Sequence, residues 1–195
     1  MTLPSTRIHS PYPTDDPLTV EKVANWMNEK KVLSLMLREN LHQPQYVEKV
    51  ERVIRFMIKH NYLTKSDLDR IWDAQDGKHE AIVKNVFDML AKLALEFTPE
   101  QLDHLFVCFQ RSWAHATKRQ CEHLIDLICR LAEEDRDGLM AQKVLDLLWD
   151  LAVDTESSVE ISDFALKAHA KILDHNTSDV FLITDKIPWV LSCLE

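Results

Sequence analysis

His104 and Cys108 stand four residues apart within a helical pattern, which places an imidazole and a thiol on one helix face. Those are two of the ligand types zinc prefers, but a zinc site needs two or three more ligands converging on the ion. Spacing along the chain supplies no further donor, so the preferred reading is a core cysteine beside a rim histidine. Asp135, Asp137 and Gly138 have the look of a calcium loop. With Gly138 at the sixth position of that register, Glu133 falls at the first and Val144 at the twelfth, where a bidentate acid is required. Valine cannot ligate, so this acidic cluster reads as a solvated turn between helices. No metal and no cofactor are expected.

A thiol nucleophile needs a base within reach and an oxyanion hole of N–H donors. Cys121 and Cys129 lie two turns apart in an apolar stripe, where burial raises a thiol pKa and suppresses reactivity. His123 is close to Cys121 in sequence but projects from another face. None of the four cysteines, Cys108, Cys121, Cys129 and Cys193, forms a C-x-x-C pair. Reduced, buried thiols in a cytosolic or nuclear protein fit best, and a cytoplasmic location is expected. The chain also has only two glycines, Gly77 and Gly138, in 195 residues. Phosphate-cradling loops, dinucleotide fingerprints and nucleophile elbows each need several glycines close together, so none can be built here.

Binding is the chemistry that remains. Lys49, Arg52, Arg55 and Lys59 form a basic ridge along one helix, able to meet an acidic partner. Glu48 and Glu51 interleave it, and an ordinary solvated face is the preferred reading. Trp113 lies in a short segment, Arg111 to Ala116, read as a linker. It either wedges two helices together or anchors a partner, and the wedge is preferred. The formal net charge of −9 disfavours nucleic acid and anionic membrane surfaces as partners. No apolar run approaches the roughly 20 residues of a membrane span, and the first residues lack the apolar core of a secretory leader.

The elements that must carry these residues are helices. Residues 1–17 hold four of the seven prolines and read as an extended or disordered lead; 18–195 read as a helical-repeat domain. Val20, Val23, Trp26 and Met27 mark a first short helix, and Val32, Leu33, Leu35, Met36 and Leu37 a second; the pattern fits either two helices or one continuous helix. Gln43-Pro44 opens the next, because proline at the first helical position forfeits no hydrogen bond. Thr64 caps another, and Gly77 supplies its stop. Thr98-Pro99-Glu100-Gln101 and Thr117-Lys118-Arg119-Gln120 are capping boxes. Starts near 44, 65, 79, 99, 118, 139 and 161 give about twenty residues per helix and about forty per pair, the period of HEAT and armadillo arrays. An all-α fold is predicted, an α-solenoid of antiparallel helix pairs, with a compact bundle as the alternative. The segment from Val180 to Glu195 is apolar but contains Pro188.

Several strings together resemble one family. They are WMNEKK at 26–31, NLHQPQYVEK at 40–49, GKHEAIVKNV at 77–86, EQLDHLF at 100–106 and RLAEEDRDG at 130–138. These are similar to the fat-facets family of very large ubiquitin-specific proteases, from about residue 20 to about 174. The tail after Asp174 departs from the expected pattern. The resemblance implies an armadillo-like region well upstream of a papain-like catalytic domain that brings its cysteine in a Gly-x-Thr-Cys box. No cysteine here has that box, so no catalytic residue transfers. The implied role is a noncatalytic scaffold that recruits ubiquitinated substrates or adaptors to the parent deubiquitinase and contacts the rest of the parent chain. A free-standing helical adaptor unrelated to ubiquitin is the alternative.

Overall fold

A computed structural model describes residues 18–113, 115–133, 139–154, 158–174 and 191. The proline-rich lead at 1–17, the acidic turn at Asp135 to Gly138, and most of the segment after Asp174 lie outside the described residues. The described elements are the helices α1 (Val20–Glu29), α2 (Val32–Met36), α3 (Pro44–Lys59), α4 (Lys65–Asp73), α5 (Glu80–Ala94), α6 (Pro99–Trp113), α7 (Lys118–Glu133), α8 (Leu139–Val153) and α9 (Val159–Asp174). Strands are absent among the described residues.

Local chemistry sets the helix starts. Thr64 Oγ1 accepts from the Asp67 N–H at 3.2 Å, and the Asp67 carboxylate accepts from the Thr64 N–H at 3.1 Å. This reciprocal box satisfies two N–H groups that no helical carbonyl can reach. Thr98 and Gln101 repeat it at the start of α6, at 3.3 and 3.0 Å. At α7 the return bond from the Thr117 N–H to Gln120 Oε1 is 2.8 Å. Pro44 and Pro99 each occupy a first helical position. The open question between α1 and α2 resolves as a break: Lys31 adopts left-handed backbone, φ 51°, which ends one helix and re-aims the next. Gly77, φ 62°, lies further along the turn that follows α4, whose helical residues already end at Asp73.

Packing follows the chain in two layers. Helices α3, α5, α7 and α9 dock in series, each against the helix two places on. Helices α4 and α6 dock in the second layer, while α8 packs on α7 and α9. One core runs from Leu33 to Ile172. The stripes expected inside are inside: Val50, Ile54, Leu68, Ile71, Val86, Leu90, Leu93, Ile125, Ile128, Val144, Leu145 and Leu148 are all essentially solvent-free. Each such side chain contributes roughly 1.5–3 kcal/mol of burial. Val20, Trp26 and Phe164 belong to apolar patterns but are exposed among the described residues.

The repeat is visible in the polar contacts. Trp72 with Ser112, Arg111 with Asp73, Arg119 with Glu80, Lys143 with Asp103 and Lys118 with Glu160 join residues 38 to 42 apart. Lys171 of α9 reaches Glu133 of α7 at 2.6 Å. These contacts carry the forty-residue period that no repeated sequence motif displays.

Candidate functional site

The densest cluster of chemically capable side chains lies between α4 and α6. The i, i+4 spacing on α6 presents His104 and Cys108 to α4, and Asp69 projects from α4 to meet them. His104 Nε2 lies 3.0 Å from Asp69 Oδ1. Cys108 donates its thiol to the same oxygen at 3.5 Å. The three donor atoms all fall within 4.8 Å of one another. Arg111, one turn further along α6, places Nη1 3.5 Å from Asp69 Oδ1 and Nη2 3.0 Å from Asp73 Oδ1.

Electrostatics follows from this geometry. Partial burial works against charge on Asp69, but hydrogen bonds from His104 and Cys108 and the charges of His104 and Arg111 outweigh it, holding the carboxyl below its usual range. Burial, then the Asp69 carboxylate, pushes the Cys108 thiol up to about 12. Cys108 is therefore a protonated donor and no nucleophile at neutral pH. The same holds elsewhere: burial raises the Cys121 thiol and pushes Cys129 up to about 12. His123 faces Glu80 at 3.5 Å, while the Cys121 thiol faces the Ala116 carbonyl, so the two point apart as expected.

The basic ridge divides. Lys49, Arg52 and Lys59 are exposed. Arg55 is half-buried and committed: its guanidinium donates to Glu51 at 2.9–3.0 Å and pairs with Glu96 beyond α5. Trp113 is not in a linker. It is the last residue of α6, half-buried, packed on the core and stacked on Phe109 with ring centroids 5.5 Å apart. The pattern from Phe109 to Trp113 is one helical turn, and that spacing was the signal for continuing the helix. Asp69 is the residue that sequence reasoning missed. Its contacts lie 35 and 39 residues away, about one repeat, and only that period could have pointed to it. Two clefts open beside the layers, one of about 360 Å³ under α1 bordered by Met27, Tyr62 and Arg70, the other of about 240 Å³ bordered by Trp72, Arg111 and His123.

Paired helices on short capped turns, docked in two layers and cross-linked every forty residues, define an armadillo-type helical-repeat protein. The family model described as UBP24/USP9X/USP9Y ARM repeat matches residues 4–195, and the chain belongs to that family. The match reaches past Asp174, correcting the expectation that the tail departs from the family pattern. The chain is 56% identical over 190 residues to mouse ubiquitin carboxyl-terminal hydrolase 9X, covering 97% of this chain and 7% of that protein. It is 55% identical over 180 residues to the probable ubiquitin carboxyl-terminal hydrolase FAF of Drosophila melanogaster, 92% of this chain and 6% of that protein. Human ubiquitin carboxyl-terminal hydrolase 24 is more distant, 31% identical over 180 residues. The chain thus spans under a tenth of the length of these relatives.

Proposed function

We propose that this chain is a noncatalytic scaffold segment of a large ubiquitin carboxyl-terminal hydrolase, presenting a helical-repeat surface to substrates, adaptors or other parts of the parent chain. The observation that carries this reading is the family match over residues 4–195, set against coverage of only 7% of a 56%-identical hydrolase. In the parent, the bond between ubiquitin and a substrate lysine is cut by a thiol elsewhere. The cysteine chemistry here supports that division of labour, since three thiols are buried and raised in pKa. Residues 18–195 act as one helical-repeat domain in this reading. The exposed part of the basic ridge, Lys49, Arg52 and Lys59, offers an acidic partner a contact; Arg55 and Trp113 serve packing first. Buried free thiols, together with the lack of any described helix long and apolar enough to cross a membrane, support a cytoplasmic setting.

The decisive experiment gives the purified chain a fluorogenic ubiquitin carboxyl-terminal substrate. No turnover is expected. Turnover that disappears when one of its own cysteines is replaced by serine would end the scaffold reading. Affinity capture with the chain, read by mass spectrometry, separates the two binding hypotheses. Recovery of ubiquitin-conjugated proteins supports recruitment, and a partner set without them favours the unrelated adaptor.

A further inference from the structure

We propose that Asp69, His104 and Cys108 form a binding site for a divalent cation of the zinc class, clasping α4 to α6. The residues are of the right types: a carboxylate, an imidazole and a thiol are each established zinc ligands. Their positions also fit. His104 Nε2 and Cys108 Sγ lie 3.0 and 3.5 Å from one carboxylate oxygen, and all three donor atoms lie within 4.8 Å. Tetrahedral coordination at zinc bond lengths separates its donors by about 3.3–3.8 Å. The present separations bracket that range, so adjustment of the side chains brings three donors onto one ion.

The charge balance supports the same ion. Asp69 as carboxylate, Cys108 as thiolate and neutral His104 sum to −2, which matches a dication. Binding replaces the thiol proton of Cys108, which leaves to solvent, with the metal–sulfur bond. Arg111 sets a positive group against the cluster, 3.5 Å from Asp69. It does not need that contact, because Asp73 holds its other nitrogen at 3.0 Å. His104 and Asp69 are both partly exposed while Cys108 is buried, so the ion enters from the α4–α6 surface and keeps an outer coordination position for water or a partner's ligand. Thiolate and imidazole ligation selects zinc over magnesium or calcium, which take oxygen donors.

Cobalt(II) is the probe, since a cobalt–thiolate bond gives a charge-transfer band in the near ultraviolet. The metal-free chain titrated with cobalt is expected to show that band, saturating at one equivalent and reversed by zinc. Cys108→Ser is expected to abolish the band, and Asp69→Asn or His104→Gln to weaken binding about a hundredfold. Cys121→Ser and Cys129→Ser leave it unchanged. Arg111→Ala is expected to tighten binding, an outcome that a purely hydrogen-bonded Asp–His–Cys clasp does not produce. Far-ultraviolet circular dichroism of each variant confirms that the helices persist. The proposal is overturned if no band appears at millimolar cobalt, if the band survives Cys108→Ser, or if Asp69→Asn leaves affinity unchanged.

Discussion

Trp72 donates its indole Nε1–H to Ser112 Oγ at 2.8 Å, across forty residues of sequence and between α4 and α6. The tryptophan is 1% exposed, so its indole N–H depends on that acceptor. Ser112→Ala leaves a buried donor unsatisfied, at a cost of about 1–3 kcal/mol. Trp72→Phe removes the donor together with part of the ring, and opens a void beside Phe87, whose centroid is 5.6 Å away. In urea denaturation the double variant is expected to lose less than the two single losses added together, because the hydrogen bond can be lost only once. Strict additivity would show that the bond contributes nothing.

Gly77 sits at φ 62° with open space where a Cβ would project. The cost of Gly77→Ala is therefore conformational and not steric, about 1 kcal/mol. Gly77→Asn is expected to cost less, since Asn40 and Asn61 already hold left-handed backbone here at φ 63° and 58°. Equal midpoints for the alanine and asparagine variants would remove this account of the turn.

Burial pushes the Cys129 thiol up to about 12. At about pH 8 its thiolate fraction is then roughly a thousandfold below that of a free cysteine. Greater intrinsic nucleophilicity at high pKa returns part of this, and burial blocks access. Alkylation of Cys129 by iodoacetamide, followed by peptide mass mapping, is expected to run at least about fifty-fold slower in the native chain than in urea. Comparable rates in the two states would place this helix outside the stable core.

Burial depresses the pKa of His169, which packs against Trp149 at 5.7 Å, and Asp146 only partly offsets this. The unfolded chain therefore takes up a proton near pH 6.5 that the folded chain still refuses. Stability falls as pH drops through that value and stops falling once the buried ring is itself protonated. Comparing denaturation at about pH 7.5 and about pH 5.5, wild type should lose more stability than His169→Gln. An identical pH dependence in the two proteins would contradict the sign.

Arg55 and its ridge neighbours should separate in mutagenesis. Lys49, Arg52 and Lys59 are exposed, so replacing each singly by serine is expected to move stability by less than about 0.5 kcal/mol. Arg55→Ala removes the shared partner of Glu51 and Glu96, at a cost of about 0.5–1 kcal/mol. Thermal melts compare Arg55→Ala with each single variant, and a larger loss from Lys49→Ser, Arg52→Ser or Lys59→Ser than from Arg55→Ala would reverse the assignment.

Helix positions were readable before any coordinates because their causes are local. Pro44 and Pro99, Thr64 with Asp67, Thr98 with Gln101 and Thr117 with Gln120 act within four residues, and apolar spacing marks the faces. The same local reasoning set the forty-residue period. It failed where a residue's surroundings come from another helix. Trp113 is a separate case, since its stacking partner Phe109 sits one turn earlier on the same helix and that spacing was itself legible. Trp26 and Phe164 belong to apolar helical patterns yet are exposed, and nothing within their own helices marks which apolar positions another helix covers. Asp69 was invisible for the same reason: it meets His104 and Cys108 only after α4 and α6 dock, 35 and 39 residues apart. Caps, prolines and periodicity specify helices one at a time, through contacts within a turn. Which side chains converge between helices depends on docking angle and register, and those arise from burial summed over the whole stack.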